Sequence, residues 1–151
     1  MVESRIFPFQ LTDGILFEDS YKLLAWGQHL EAIKRIDNPT KNQEESFITW
    51  TDKKCFGGKI LDVTVAQNQL QNANGFLESV EFGRKNINPR IFFKEFSEHF
   101  LKHFGQPTEI KLDEFDLPMH SWTFNDIEVN LGIGERFMEY SILRFSKTKS
   151  N

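Results

Sequence analysis

Two histidines in one predicted helix have the spacing of a metal site. His99 and His103 stand at positions i and i+4, which brings both rings to the same side of a helix. The stretch lacks the glutamate of an H-E-x-x-H motif, and no third ligand is evident in the sequence. Both histidines lie beside the apolar residues Phe96 and Phe100. We therefore interpret them as ordinary histidines at the edge of a buried stripe, and we predict no metal and no cofactor.

A histidine near three acids and a single cysteine are the other candidates for catalysis. His120 follows Asp113, Glu114 and Asp116, and a carboxylate beside an imidazole can perform acid–base chemistry. The alternative, which we prefer, is a polar loop before a strand. Cys55 precedes a glycine pair typical of a hairpin turn rather than a helix N-terminus, which would lower its pKa. We predict no catalytic residues and a protein that is not an enzyme.

The glycine-rich and basic segments do not have the context that phosphate or RNA binding needs. Gly57-Gly58 and Gly132-Ile133-Gly134 lack the strand, glycine loop and helix of a phosphate loop, and we interpret them as turns. An RNA-binding sheet would need exposed aromatic residues among its basic residues. The net charge of −4 also argues against nucleic acid. We interpret the basic residues as solvated: Arg84, Lys85, Arg90, Lys53 and Lys54.

An acidic run that encloses a phenylalanine is the best candidate for a binding site. Asp113, Glu114 and Asp116 flank Phe115, and Trp122 lies in the strand just beyond them. Carboxylates steer a basic partner toward a surface, and an exposed ring adds contact area. The alternative is a solvated loop whose Phe115 turns inward. We predict that these five residues contribute to a partner-binding surface.

The composition indicates one soluble domain with a large aromatic core. The chain has 151 residues, with 16 phenylalanines and three tryptophans, and most of these rings must be buried. A lone cysteine excludes an internal disulfide. The first residues lack the apolar core of a signal peptide, and no apolar run approaches the ~18 residues of a membrane span. We expect a cytoplasmic protein that does not bind membranes.

The helix that must position the two histidines is strongly marked. Asn88 is a suitable N-cap and Pro89 suits the first helical position. Gly105 and Pro107 end the helix. Its apolar residues recur at three- and four-residue spacing, which predicts a wide buried stripe: Phe92, Phe93, Phe96, Phe100, Leu101 and Phe104.

Strand patterns surround this helix. Arg5 to Leu11, with an internal proline, predicts an edge strand that pairs across Thr12-Asp13-Gly14 with a strand at Ile15 to Phe17. Phe137 to Phe145 is apolar on both sides, which suits a central strand. We predict the remaining strands at Phe47 to Thr51, Ile60 to Ala66, Phe76 to Phe82, Thr108 to Leu112, Ser121 to Phe124 and Asp126 to Ile133.

The segment Asp19 to Asp37 allows two interpretations. It could form one long helix capped by Ser20, or a short strand at Tyr21 to Trp26 and a shorter helix at Gln28 to Ile36. We prefer the second, because Gly27 would be costly inside a helix.

Two parts of the chain match each other in order. Each has a helix, a strand with a tryptophan, an alternating strand and a further strand. The alternating strands are Leu61-Asp62-Val63-Thr64-Val65 and Ile127-Glu128-Val129-Asn130-Leu131. This pattern predicts two helix-plus-sheet halves, at about 19–82 and 88–145, within one domain at 1–146. We expect residues 147–151 to form a frayed polar tail.

The layout resembles a known type of duplicated domain. Trp26 to Ile33 followed by Asn38-Pro39, and Phe104-Gly105-Gln106-Pro107 before a tryptophan strand, look like the openings of the two halves of such domains. The beta-lactamase inhibitor protein type is one group, and bacterial toxin-immunity proteins are similar in pattern. The resemblance implies a protein that binds another protein. It supplies no catalytic residues, and the disulfides of the secreted inhibitors have no counterpart here.

The predicted fold is α+β, a two-layer sandwich of a mainly antiparallel sheet with two helices on one face. The predicted core consists of Phe92, Phe96, Phe100, Phe104, Val63, Val65, Val129, Leu131, Tyr140 and Ile142. We expect a non-enzymatic protein-binding module that serves as an immunity protein against a basic bacterial toxin. The alternative is a small-molecule-binding protein or enzyme with an aromatic-lined pocket between sheet and helices, served by His120 or His99. The sequence leaves the oligomeric state open.

Overall fold

The computed structural model describes residues 11–40, 46–67 and 71–148. A seven-stranded antiparallel sheet dominates the fold, in the order β3-β4-β5-β9-β8-β7-β6, and β1 and β2 form a separate hairpin. The strands are β1 Gly14–Phe17, β2 Lys22–Ala25, β3 Phe47–Cys55, β4 Lys59–Ala66, β5 Ser79–Gly83, β6 Glu109–Leu112, β7 Pro118–Phe124, β8 Ile127–Arg136 and β9 Met138–Lys147. The helices with defined bounds are α1 Leu30–Ile33 and α2 Pro89–Phe104. The predicted α+β class is confirmed.

The N-terminal hairpin differs from the prediction. Residues 11–13, which include the predicted turn residues Thr12 and Asp13, are helical, and β1 pairs with β2. Of the predicted strand Arg5 to Leu11, residues 5–10 lie outside the described part of the chain. β2, which follows the turn at 18–21, forms an antiparallel pair with all four residues of β1. Leu11 is buried and its carbonyl accepts a 2.7 Å hydrogen bond from Trp26 Nε1, which fixes the helical residues to the hairpin.

The second interpretation of Asp19 to Asp37 is correct, with a shorter helix than predicted. The strand is β2, and Gly27 has a φ of 80°, which would break a continuous helix. α1 begins after His29, whose side chain accepts a hydrogen bond from the Glu31 amide, and it covers one turn. Leu30 and Ile33 are buried, and Ile36 is partly buried against the core.

The phenylalanine helix forms as predicted, except that Leu101 of the predicted stripe is 44% exposed. The Asn88 side chain accepts a 2.8 Å hydrogen bond from the Arg90 amide, and Gly105, at a φ of 86°, ends the helix. Phe92, Phe96 and Phe100 are fully buried. They pack on the strands through one continuous core that also contains Ile33 of α1. Both helices therefore cover the same face of the sheet, which we call the helix face.

The opposite face of the sheet, which we call the open face, carries a row of polar side chains. The register aligns one row of its side chains across all seven strands. Ion pairs and hydrogen bonds link neighbours in this row, as between Arg144 and Glu81 at 3.3 Å. The row consists of Thr49, Thr64, Glu81, Arg144, Asn130, Ser121 and Glu109.

The predicted core is correct except for part of β9. Tyr140 is 48% exposed and Ile142 is half-buried. Leu143 and Phe145 occupy the helix face, so the alternation of the strand places Tyr140 and Ile142 on the open face with Arg144. β9 is nevertheless the central strand, as predicted, because it lies between β5 and β8. Phe104 is half-buried against the core.

The two predicted halves occupy corresponding positions in the sheet. β3-β4-β5 and β7-β8-β9 each form a three-stranded meander, and the two meet where β5 pairs with β9. Trp50 in β3 donates its indole hydrogen bond to the Ile36 carbonyl after α1, at 2.6 Å. Trp122 in β7 donates equivalently to the Gly105 carbonyl after α2, at 3.0 Å. In each half, the tryptophan therefore ties its strand to the backbone that follows the preceding helix.

Two predicted turns have different outcomes. Gly57 and Gly58 lie in the turn between β3 and β4, as predicted. Gly132-Ile133-Gly134 is not a turn, because β8 continues through it to Arg136. The chain reverses at Phe137, which has a φ of 68°, so that Arg136 pairs with Met138.

Candidate functional site

His99 and His103 lie side by side, but the backbone holds one ring nitrogen of His99. Their ring centroids lie 4.7 Å apart, but His99 Nε2 is 2.6 Å from the Phe56 carbonyl oxygen. Because a carbonyl only accepts, this nitrogen must carry the proton and cannot bind a metal. Burial lowers the pKa of both imidazoles below the ordinary value. The described residues contain no group of three or more metal-ligating side chains.

The predicted catalytic alternatives are also separated in the structure. His120 lies on the helix face of β7, with its ring 5.0 Å from that of Phe93, and burial lowers its pKa. The Asp113 carboxylate, instead of contacting an imidazole, accepts hydrogen bonds from the backbone. Cys55 is fully buried, and desolvation raises the pKa of its thiol. A buried, protonated thiol is a poor nucleophile.

The basic residues are divided among separate ion pairs. Arg84 makes a two-pronged contact with Glu95 at 2.7 and 2.9 Å. The hydrogen bonds from Arg84, with Lys59, lower the pKa of Glu95 to about 2. Arg90 pairs with Glu139. Arg84, Lys59 and Arg90 therefore each lie beside a carboxylate.

Aromatic rings fill the space where a small-molecule pocket was considered. The Phe100 side chain projects from α2 toward the sheet. Its ring centroid is within 6 Å of those of Phe56, Trp122 and Phe145. Phe56 also stacks on Phe145 at 4.6 Å. A surface cleft of about 550 Å³ lies elsewhere. It is lined mainly by charged residues, including Lys59, Arg84, Lys85 and Glu95.

The acidic loop between β6 and β7 has a defined conformation. The Asp113 carboxylate accepts hydrogen bonds from the amides of Phe115 and Leu117, at 2.8 and 2.9 Å. The Asp113 amide in turn donates to the Leu117 carbonyl, and the Leu117 side chain is buried. One of the three predicted carboxylates therefore holds the loop, while Glu114 and Asp116 are exposed. Phe115 is 59% exposed and points outward rather than into the core.

Trp122 does not belong to the surface that the sequence predicted. It is 1% exposed and its indole nitrogen is bonded to Gly105. The strand period explains this placement, because Trp122 pairs with Val129 on the helix face and therefore turns toward α2. We remove Trp122 from the predicted binding residues and assign it to the core.

A group of exposed apolar side chains that the sequence did not predict lies at the tip of the β8–β9 hairpin. Phe137 is completely exposed, Met138 is 73% exposed and Tyr140 is 48% exposed. The Tyr140 ring lies across Gly134, where an added Cβ would be 2.4 Å from Tyr140 Cζ. In the sequence, Gly134 was the one indication of this arrangement, although we interpreted it as part of a turn. A glycine in a strand leaves room for a neighbouring ring to lie close to the backbone.

The hairpin tip and the acidic loop project from the same end of the sheet. Met119 at the start of β7 pairs with Gly132, so the loop preceding β7 lies on the side toward which β8 continues. β8 then extends to the tip at Phe137. We call the combined region the hairpin surface: Glu114, Phe115, Asp116, Phe137, Met138 and Tyr140.

The comparisons with known proteins establish a likeness of fold only. The fold resembles the crystal structure of a DUF4309 family protein (YjgB) from Bacillus subtilis, with a TM-score of 0.51. The alignment covers 95% of this chain and 94% of the other at 8% identity. No protein-family model matches the chain, and no curated protein sequence matches it significantly. None of the described helices combines the length and apolar character that crossing a bilayer requires.

Proposed function

We propose that this protein is a non-enzymatic binding module whose hairpin surface engages another protein, and that it acts as an immunity protein against a basic bacterial toxin. The observation that carries the proposal is the hairpin surface itself. There, Phe115, Phe137, Met138 and Tyr140 are exposed at the same end of the sheet as Glu114 and Asp116. The resemblance in layout to duplicated inhibitor domains supports the same class of function.

The composition of this surface suits protein recognition. Phenylalanine, tyrosine and methionine are enriched in protein interfaces, because each supplies a large contact area. Exposed rings in such numbers are unfavourable in water and gain free energy when a partner covers them. The fixed conformation of the acidic loop, held by Asp113, reduces the conformational entropy that binding would cost.

The charges of the surface favour a basic partner. Glu114 and Asp116 add local negative charge to a chain whose net charge is −4. Opposite charge on a partner accelerates association by electrostatic steering, and salt screens the effect.

We also propose a cytoplasmic location. A single buried cysteine is compatible with the reducing conditions found there.

The test uses the protein encoded by the neighbouring reading frame as partner. The chain should protect cells from that protein and bind it in purified form. The double variant Glu114→Gln/Asp116→Asn should slow association and reduce its dependence on salt, while the melting temperature stays within about 2 °C of wild type. Asp113 is left unchanged, because its carboxylate holds the loop.

A matched control separates the local effect from a change in total charge. Asp13→Asn/Glu98→Gln removes the same two charge types from exposed positions outside the hairpin surface. This control should leave the association rate nearly unchanged. Phe137→Ser should instead raise the dissociation rate, by about tenfold or more if the ring is an anchor. Unchanged rates in both hairpin-surface variants would remove this region from the interface.

A further inference from the structure

The two edges of the seven-stranded sheet differ in how they are protected. At β3, the Thr40 amide donates a 2.7 Å hydrogen bond to the Thr49 carbonyl, so a neighbouring segment covers part of that edge. A register shift between Trp50 and Lys53 further interrupts β3. Bulges and covering segments are common means of preventing a sheet from pairing with another chain. The β6 edge, by contrast, has all four residues exposed.

The backbone of β6 presents hydrogen-bonding groups on its outer side. The Asp113 amide donates to the Leu117 carbonyl, and the same antiparallel register pairs Lys111 with Met119 and Glu109 with Ser121. Because bonded and non-bonded pairs alternate, Glu109 and Lys111 direct their amide and carbonyl groups toward β7. Ile110 and Leu112 therefore direct theirs away from the sheet.

The side chains of β6 form a regular two-sided pattern. Ile110 and Leu112 lie on the helix face and are 59% and 63% exposed. Glu109 and Lys111 lie on the open face, where their charged groups are 3.5 Å apart. β6 has an apolar pair on one side and a pair of opposite charges on the other. Two copies of β6 that run antiparallel are therefore complementary to each other.

We propose that β6 pairs antiparallel with β6 of a second copy of this chain, with Ile110 opposite Ile110 of the partner subunit. In this register the outward amide and carbonyl of Ile110 bond reciprocally with those of the partner's Ile110. Glu109 then faces the partner's Lys111, and Lys111 faces the partner's Glu109. The two seven-stranded sheets join into one continuous sheet about a two-fold axis.

The charges select this register over the neighbouring one. If the two-fold axis passes through Lys111 rather than Ile110, the side chains of the two strands still share the same faces of the sheet. In that register, however, Lys111 lies opposite the partner's Lys111, and the like charges repel. The register centred on Ile110 instead contains two opposite-charge pairs, and it brings the two exposed isoleucines together on the helix face. The interface involves neither Phe115 nor Phe137, so the proposal stands independently of the function assigned to the hairpin surface.

The experiment is a charge-exchange series measured by sedimentation velocity from micromolar to millimolar protein. The wild-type chain should show a concentration-dependent monomer–dimer equilibrium. Glu109→Lys and Lys111→Glu, each alone, should weaken dimerisation by about tenfold or more, because two attractive pairs become repulsive. The exchanged variant Glu109→Lys/Lys111→Glu should recover the wild-type equilibrium.

Mixing the two single variants provides an independent arm. A chain carrying Glu109→Lys has two lysines on this face of β6, and a chain carrying Lys111→Glu has two glutamates. An equimolar mixture should therefore form heterodimers more tightly than either variant self-associates. Glu98→Lys, on an exposed face of α2, makes the same change in net charge as the first variant and should leave the equilibrium unchanged. Circular dichroism and melting curves confirm that each variant is folded.

Two results would overturn the proposal. One is a wild-type chain that remains monomeric up to millimolar concentration, which would leave the β6 edge to a strand from a different protein. The other is a dimer whose strength ignores the charge exchange, because such a dimer must use another surface.

Discussion

Replacing Phe100 with alanine tests the packing between α2 and the sheet most directly. The side chain is fully buried. Its ring stacks on Phe104 at 5.0 Å and meets Trp122 edge-on at 5.7 Å. Further ring contacts at 5.6 to 5.9 Å involve Phe56, Phe96 and Phe145. The substitution therefore removes a ring that joins the helix, two strands and the β3–β4 turn.

The expected loss is large for one substitution. Removing a buried phenylalanine side chain costs about 3–5 kcal/mol, through lost transfer free energy and the cavity that remains. Surrounding rings held by their own contacts cannot collapse easily into the space, so we expect the upper part of this range, about 4–5 kcal/mol. At about 2–4 °C per kcal/mol for a chain of this size, the melting temperature should fall by about 8–20 °C.

The assay is equilibrium unfolding in urea, followed by tryptophan fluorescence and circular dichroism, together with thermal melting. Ile91→Ala is the matched control, because Ile91 lies on the same helix but is 60% exposed. It should change the free energy of unfolding by no more than about 0.5–1 kcal/mol. A Phe100→Ala variant that unfolds within about 1 kcal/mol of wild type would show that this ring is not packed as described.

Two further predictions concern the histidine and the paired tryptophans. Burial lowers the pKa of His99 below its ordinary value of 6.5. The imidazole therefore binds a proton more readily in the unfolded chain than in the folded one. Stability should therefore be complete above that value and decline as pH falls toward the folded-state pKa. His99→Gln, which keeps a donor for the Phe56 carbonyl, should make the decline shallower in urea titrations at several pH values; an unchanged slope would contradict this. Trp50→Phe and Trp122→Phe each remove an indole hydrogen bond to a backbone carbonyl that follows a helix, and each should cost about 2–4 kcal/mol in urea unfolding. A large loss in only one of them would contradict the equivalence of the two halves.

The sequence was most informative where local signals and burial agree. Asn88, the phenylalanine stripe and Gly105 marked α2 correctly, because caps and three- to four-residue spacing act within one element. The β3–β4 turn was predicted for a similar reason, since two adjacent glycines allow a tight reversal. The correspondence of Trp50 and Trp122 was also visible in advance, although their shared hydrogen bond was not.

The errors arose where the choice between two faces depends on tertiary register. β9 is apolar on both sides, so its sequence did not reveal that Tyr140 faces outward and Phe145 inward. Trp122 was assigned to the surface because it follows an acidic loop, whereas its pairing with Val129 turns it inward. For Asp113, the charge was evident in the sequence, but its role in holding the loop depends on backbone amides that only the folded loop brings together.

The pairing of β5 with β9 has a consequence for how the chain folds. β8 and β9 are adjacent in sequence and can pair as soon as they are made, whereas Val80 in β5 must wait for Phe145, its register partner near the C-terminus. During synthesis the first half of the sheet therefore keeps one edge unpaired until β9 has left the ribosome. Contacts this distant in sequence slow folding and prolong the lifetime of exposed strands. β9 thus completes the first half of the sheet as well as the second.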